Sequence, residues 1–321
     1  MKRIGVLTSG GDSPGMNAAV RAIVRYGIYR DMEVYGIKRG YEGLIDGEVE
    51  RMYRRSVGDI LQRGGTILKT ARSERFMTPE GMERAYNVLK ELKIENLIAI
   101  GGDGTLTGAR ELSKNFGVNV MGLPGTIDND LAYTDNTIGF DTAINTVLDG
   151  ITRIRDTSSA HERTTIIEVM GRRCGDIALY AGITGGAESV LLPELDNDID
   201  AMCEKLLAGI REGKLHDIII KAEGVPIDSQ ELVNILKERT GREVKLVVLS
   251  YLQRGGSPTY RDRMLATMCG ARAIDLIAQG ERNRAIGERD GRIFDMDLAE
   301  ALQVTREVDL DLYKGVDVLS M

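Results

Sequence analysis

The chain has 321 residues, enough for about two domains, and its 42% apolar and 28% charged residues exclude a disordered or fibrous protein. A formal net charge of −7 speaks against a nucleic-acid-binding surface. The opening MKRIGVLTSGGDS turns polar too early for a secretory leader and no run reaches transmembrane length, so a cytoplasmic protein with no membrane partner is expected. In chain order, apolar runs of strand length fall at 4–8 (IGVLT), 34–37 (VYGI), 97–100 (LIAI), 118–123 (VNVMGL), 164–170 (TTIIEVM), 189–193 (SVLLP), 217–222 (DIIIKA) and 244–249 (VKLVVL). Stretches of helical period lie between and after them, as at 16–30 and 263–280. This alternation is the pattern of βαβ units on a mostly parallel sheet, so the expected class is α/β.

Six of the runs lead into polar or Gly-rich loops: SGGDSPGMN, GGDGT, PGTIDND, GRRCGD, EGV and SYLQRGG. In open α/β sheets ligands bind at the carboxyl ends of strands. Gly10-Gly11-Asp12-Ser13-Pro14-Gly15 is suited to bringing backbone N–H groups against a phosphate, although its spacing is neither GxGxxG nor Walker A. Gly101-Gly102-Asp103-Gly104-Thr105 repeats the arrangement with a carboxylate inside it, where it would bind Mg²⁺ or simply cap a helix. In Pro124–Asp130 two carboxylates, Asp128 and Asp130, stand two residues apart; in extended backbone they would face the same side, for base chemistry or within a plain turn. His161 and His216 are the only histidines, so chemistry must rest on carboxylates. Cys174, Cys203 and Cys269 form no CxxC and read as reduced, mostly buried thiols. Positive charge is dispersed over Arg72, Arg163, Arg172, Arg173, Lys245 and Arg254, four of them in or beside strand-end loops.

Taken in order, SGGDSPGMNAAVR, GGDGT, PGTIDND, TIGFDTA, RDTSSAHERT, EVMGR, KAEGV and QRGGSPT resemble the bacterial ATP-dependent 6-phosphofructokinases over essentially the whole chain. The resemblance implies two doubly wound, Rossmann-like α/β domains with mostly parallel sheets and the active site in the cleft between them. Residues 1–139 and 252–303 would form the nucleotide domain, and residues 140–251 and 304–321 the sugar-phosphate domain. It also implies a homotetramer with shared active sites, ATP as co-substrate with Mg²⁺, and phosphoryl transfer to the 1-hydroxyl of fructose 6-phosphate.

Residue by residue, the resemblance implies that Gly11, Arg72, Ser73, Gly102, Asp103, Gly104 and Thr105 hold ATP, with Asp103 on Mg²⁺. Asp128 would be the general base, Thr126 and Asp130 would orient the transfer, and Arg172 would stabilise the moving phosphoryl group. Met170, Gly171 and Glu223 would line the sugar, with Thr126, Ile127, Leu252 and Gln253 also among the substrate contacts. Arg254, and Arg163 from a neighbouring subunit, would grip the 6-phosphate. Lys245 and Tyr251 depart from the family's usual Arg and His at that end; Lys keeps the charge but not the bidentate fork. An effector site for ADP and phosphoenolpyruvate would draw on Arg21, Arg25, Arg54, Asp59, Arg155, Gly186, Ala187, Glu188, Glu212, Lys214, Leu215 and His216. Relatives are often basic where Glu212 and Leu215 stand.

Pyrophosphate-dependent relatives usually carry Asp and Lys where Gly104 and Gly125 stand here, so ATP is the expected donor. Other GGDGT kinases lack PGTIDND and QRGGSP. A non-catalytic nucleotide-sensing subunit would be expected to lose its base, whereas Asp128 and Asp103 are both present.

Overall fold

Eleven strands are found in the computed structural model, which describes residues 1–320: β1 (Arg3–Thr8), β2 (Glu33–Ile37), β3 (Val49–Met52), β4 (Asn96–Gly101), β5 (Asn119–Pro124), β6 (Thr164–Val169), β7 (Ser189–Leu191), β8 (Asp217–Ala222), β9 (Val244–Val248), β10 (Arg284–Arg289) and β11 (Arg292–Asp297). They fall into two compact units. The first comprises Met1–Thr142 and Arg254–Thr305; the second comprises Ala143–Gln253 and the described residues from Arg306 onward.

The first unit holds a seven-stranded sheet in the order β11-β10-β5-β4-β1-β2-β3, parallel except at its two edges. Its central strands are buried on both faces, which is why they read as unbroken apolar runs rather than as alternation. Ile98 and Ile100 of β4 enter a core with Val20 and Ile23 of the helix Met16–Tyr29 and Leu265 and Ile274 of the helix Tyr260–Gln279. Leu97 and Ala99 enter the opposite core, with Leu89 of the helix Pro79–Glu91 and Leu106 and Leu112 of the helix Asp103–Phe116. The second unit has a parallel four-stranded sheet, β7-β8-β6-β9. Among the described residues no helix is long and apolar enough to cross a membrane.

Three strands are absent from the sequence reading. β3 (VERM) carries charge on an edge, and β10 and β11 (RAIGER, RIFDMD) are interrupted by charges on a half-exposed flank. An available signal was Asp290-Gly291, a two-residue hairpin turn in which both residues are left-handed, at φ 52° and 70°. Burial pushes the Cys174 thiol up to about 12, and raises Cys203 and Cys269 as well, so all three are weak nucleophiles.

Candidate active site

In the first unit the chain winds one way from β1 to β2 and the other way from β4 to β5, so the loops after β1 and β4 flank the topological switch. They touch. The Ser9 N–H donates to Ile100 O at 3.1 Å, and a side chain on Gly101 would lie 2.5 Å from Ser9 O and 2.4 Å from Thr105 Oγ1. The loop after β5 joins them, because the Gly125 N–H donates to Gly101 O at 3.0 Å and Gly102 packs against Thr126. Gly11, Gly102, Asp103, Thr105, Thr126 and Asp128 are thereby gathered at one end of the sheet. Asp103 is exposed in the first turn of its helix, where the N-terminal dipole favours an anion. A Cβ on Gly104 would meet nothing within 4 Å, so this glycine leaves space that the fold itself does not need.

The loop carrying Asp128 is stitched from within. The Thr137 hydroxyl donates to Thr126 O at 2.6 Å, the Thr137 N–H donates to Asn129 Oδ1 at 3.0 Å, and the Asp128 N–H donates to Thr126 Oγ1 at 3.2 Å. Asn129 is buried and left-handed, at φ 54°. The backbone is therefore not extended here, and the expected same-side alternation of Asp128 and Asp130 is corrected: Asp128 is half-buried and Asp130 is exposed.

Asp262 was not anticipated from the sequence. Buried, it accepts from the N–H groups of Gly139 and Thr142, both at 2.8 Å, and from the Thr142 hydroxyl, capping the start of the helix Phe140–Ala160. Burial pushes its carboxyl from 3.8 up to about 6, against the pull of those donors. The folded protein thus keeps this proton to a higher pH than the unfolded chain, so the carboxyl's contribution to stability falls as pH rises from about 4 to about 6. Asp262→Asn is expected to lose that slope. Its melting temperature relative to the parent should rise between acidic and neutral buffer, and a constant difference would refute the assignment.

The segment before the helix Pro79–Glu91 lies over the β1 loop, where the Thr70 hydroxyl donates to Gly10 O at 2.7 Å. Ser73 donates its hydroxyl to Glu42 and accepts the Phe76 N–H at 3.2 Å, so its side chain is committed to the loop. Arg72 makes no side-chain hydrogen bond or ion pair among the described residues. Arg254 donates to Asp12 O at 3.2 Å and packs on Gly11, where any side chain would collide with its guanidinium.

In the second unit the loops after β6, β8 and β9 converge in the same manner. The Glu223 N–H donates to Val169 O at 2.8 Å, the Gly224 N–H to Gly171 O at 3.1 Å, and the Met170 N–H to the buried Gln253 Oε1 at 3.2 Å. Met170, Gly171, Arg172, Glu223 and Gln253 are thus brought together, with Arg172, Tyr251 and Leu252 exposed. Arg163 and Lys245 are not with them. Arg163 immediately precedes β6, and Lys245 pairs in register with Thr165, so both sit at the amino end of the sheet. At about 3.3 Å per residue, Arg163 is roughly 20 Å from Met170. Lys245 is ion-paired with Glu243 at 2.6 Å.

Six of the expected effector residues also converge in the second unit. Arg155 lies 3.3 Å from His216 and donates to the carbonyls of Gly185 and Gly186, while buried Glu188 pairs with Lys214 at 3.1 Å. Ala187 is buried beside them, and Glu212 and Leu215 are exposed. Arg21 and Arg25 lie on the helix Met16–Tyr29 of the first unit, Arg54 in a short turn packed near it, and Asp59 in a left-handed turn.

A profile of the family described as Phosphofructokinase matches residues 3–277. The chain is 56% identical over 321 residues to an ATP-dependent 6-phosphofructokinase of Alkaliphilus metalliredigens, and 53% identical over 320 residues to one of Clostridium botulinum, covering all of both relatives. Among solved structures it is similar to phosphofructokinase from Saccharomyces cerevisiae, with a TM-score of 0.89 and 34% identity over all of this chain. The chain spans about half of that yeast chain, 48%. A pyrophosphate-dependent phosphofructokinase from Marinobacter aquaeolei matches at a TM-score of 0.85 and 22% identity, over 97% of this chain and 86% of that one. That last likeness is one of fold.

Proposed function

The chain belongs to the phosphofructokinase family, and from that premise we propose that it transfers the γ-phosphoryl group of ATP to the 1-hydroxyl of fructose 6-phosphate, giving fructose 1,6-bisphosphate and ADP. The observation that carries this reading is the meeting of the loops after β1, β4 and β5, with glycine backbone on all three and carboxylates at Asp103 and Asp128. In the reading, the first unit binds nucleotide and the second binds the sugar phosphate. Asp128 takes the 1-hydroxyl proton, Thr126 and Asp130 orient the transfer, and Arg172 supplies positive charge to the transferring phosphoryl group. Met170, Gly171 and Glu223 bind the sugar, and Arg254 binds its phosphate.

A divalent cation suits Asp103, an exposed oxygen donor beside a glycine cradle. In the reading, the ion is held through this one carboxylate and the substrate phosphates, which needs no larger cluster of protein ligands. Bound there, the ion would neutralise phosphate charge.

The donor is assigned from position 104. The room beside Gly104 would admit an Asp without disturbing the fold, yet that carboxylate would repel a nucleotide phosphate. Gly125 is a weaker witness, because a Cβ there would press on Ile100 and Met16, so packing alone demands glycine. A coupled assay for fructose 1,6-bisphosphate with ATP and with pyrophosphate tests the reading. Turnover with ATP is expected. Faster turnover with pyrophosphate would overturn the donor, and no product with either would overturn the reaction. Gly104→Asp should fold as the parent does and lose ATP affinity.

Arg163 and Lys245, remote from the other sugar residues of their own chain, fit a role in the site of a neighbouring subunit within a homotetramer. Lys245→Arg should restore a forked contact to the 6-phosphate and lower the KM for fructose 6-phosphate by about fivefold, equivalent to about 1 kcal/mol. A raised KM would mean that the Lys245–Glu243 pair is itself the arrangement the site uses. The Arg155, Glu188, Lys214 and His216 group supports binding of phosphorylated effectors, ADP and phosphoenolpyruvate.

A further inference from the structure

A chain of alternating charges crosses the surface of the first unit and ends on the loop that carries Arg72. Glu48 pairs with Arg39, Arg39 with Asp46, Asp46 with Arg75, and Arg75 with Glu42, at 2.6, 3.1, 2.9 and 2.5 Å; Glu42 then receives the Ser73 hydroxyl. Glu42 is the most sheltered of the five charged groups, with 20% of its side chain exposed, and Ser73 and Arg75 together hold its carboxyl below the usual range. It sits on the short helix Gly40–Ile45. The neighbouring residue on that helix, Tyr41, donates its hydroxyl to Thr105 O at 2.6 Å and stacks on Phe76 at 4.0 Å. One turn of helix therefore holds both the GGDGT loop, through Tyr41, and the 70–77 segment, through Glu42 and Phe76. The near end of that segment is fixed independently, by Thr8 donating to Lys69 O and Thr70 donating to Gly10 O. Arg72 stands between the two anchors with no side-chain partner of its own among the described residues.

We propose that Glu42 is a positioning residue for the nucleotide: with Arg75 behind it, it holds the 70–77 segment so that Arg72 is set in place before ATP arrives. Exposed ion pairs taken singly contribute little, but a shared guanidinium and two carboxylates hold a loop in one geometry, and ordering a loop in advance lowers the entropy lost on binding. The proposal rests on the reading of Arg72 as an ATP contact, so the test carries both residues. KM for ATP, KM for fructose 6-phosphate, kcat and melting temperature are measured for Arg72→Ala, Glu42→Ala and the double variant. The expected result is an increase in KM for ATP on the order of tenfold in each single variant, with kcat and the sugar-phosphate KM of Glu42→Ala within about twofold of the parent. The double variant should be little worse than Arg72→Ala, because the two act through one contact. An unchanged KM for ATP in Glu42→Ala, with a raised one in Arg72→Ala, would overturn the positioning role and leave the nucleotide reading intact. An unchanged KM in Arg72→Ala would remove both. Should Glu42→Ala fail to fold, Glu42→Gln, which still accepts from Ser73 but releases Arg75, is judged by the same comparison.

Discussion

Asp128→Asn is expected to lower kcat by roughly two to four orders of magnitude, the usual worth of a general base, while affinity for ATP stays nearly unchanged. The amide matches the carboxylate in shape but cannot accept the proton of the attacking hydroxyl. Thr126, Asn129 and Thr137 hold the backbone of the loop that aims this side chain through bonds of their own. Steady-state kinetics with saturating substrates measure the effect, and a kcat within a few-fold of the parent would take Asp128 out of the base role.

Gly224→Ala is the second large effect, and its origin is steric. A Cβ at this position would lie 2.0 Å from Arg172 O and 3.0 Å from Arg172 Cα, both backbone atoms that cannot rotate away. The loops after β6 and β8 would have to part by about 1 Å or more, and a misplacement of that size costs on the order of a hundredfold in rate when it moves a group acting on the transition state. Overpacking of this kind also costs about 1–3 kcal/mol of stability. The variant should melt below the parent and lose kcat/KM for fructose 6-phosphate by about two orders of magnitude. Parental kinetics with a lowered melting temperature would show that Arg172 tolerates the shift and that its position is not critical to the transfer.

Much of this was legible from local pattern. Strands β1, β4, β5, β6 and β8 each carry an apolar run because both faces of a parallel sheet are covered, and each leads into a loop whose glycines and carboxylates announce a strand-end site. The α/β class and the three nucleotide-side loops follow from such short-range information. The edge strands β3 and β11, and β10 beside the latter, do not, since they are partly exposed and their apolar runs are interrupted by charges.

Side-chain assignment is where spacing alone stopped. Ser73 and Arg72 are neighbours in sequence, yet one side chain is bound to a glutamate 31 residues earlier and the other makes no side-chain bond among the described residues. Asp128 and Asp130 differ in exposure because Asn129 is left-handed, a turn stabilised by Thr137 and Asp135 further along the loop. Arg163 and Met170 belong to one motif-rich segment but stand at opposite ends of β6. Composition and period determined which segments form strands and which loops bear chemistry, because those depend on residues within a few positions of one another. Only the tertiary structure decided which side chain is occupied, buried or free to act, because its partners lie tens or hundreds of residues away and are brought to it by packing.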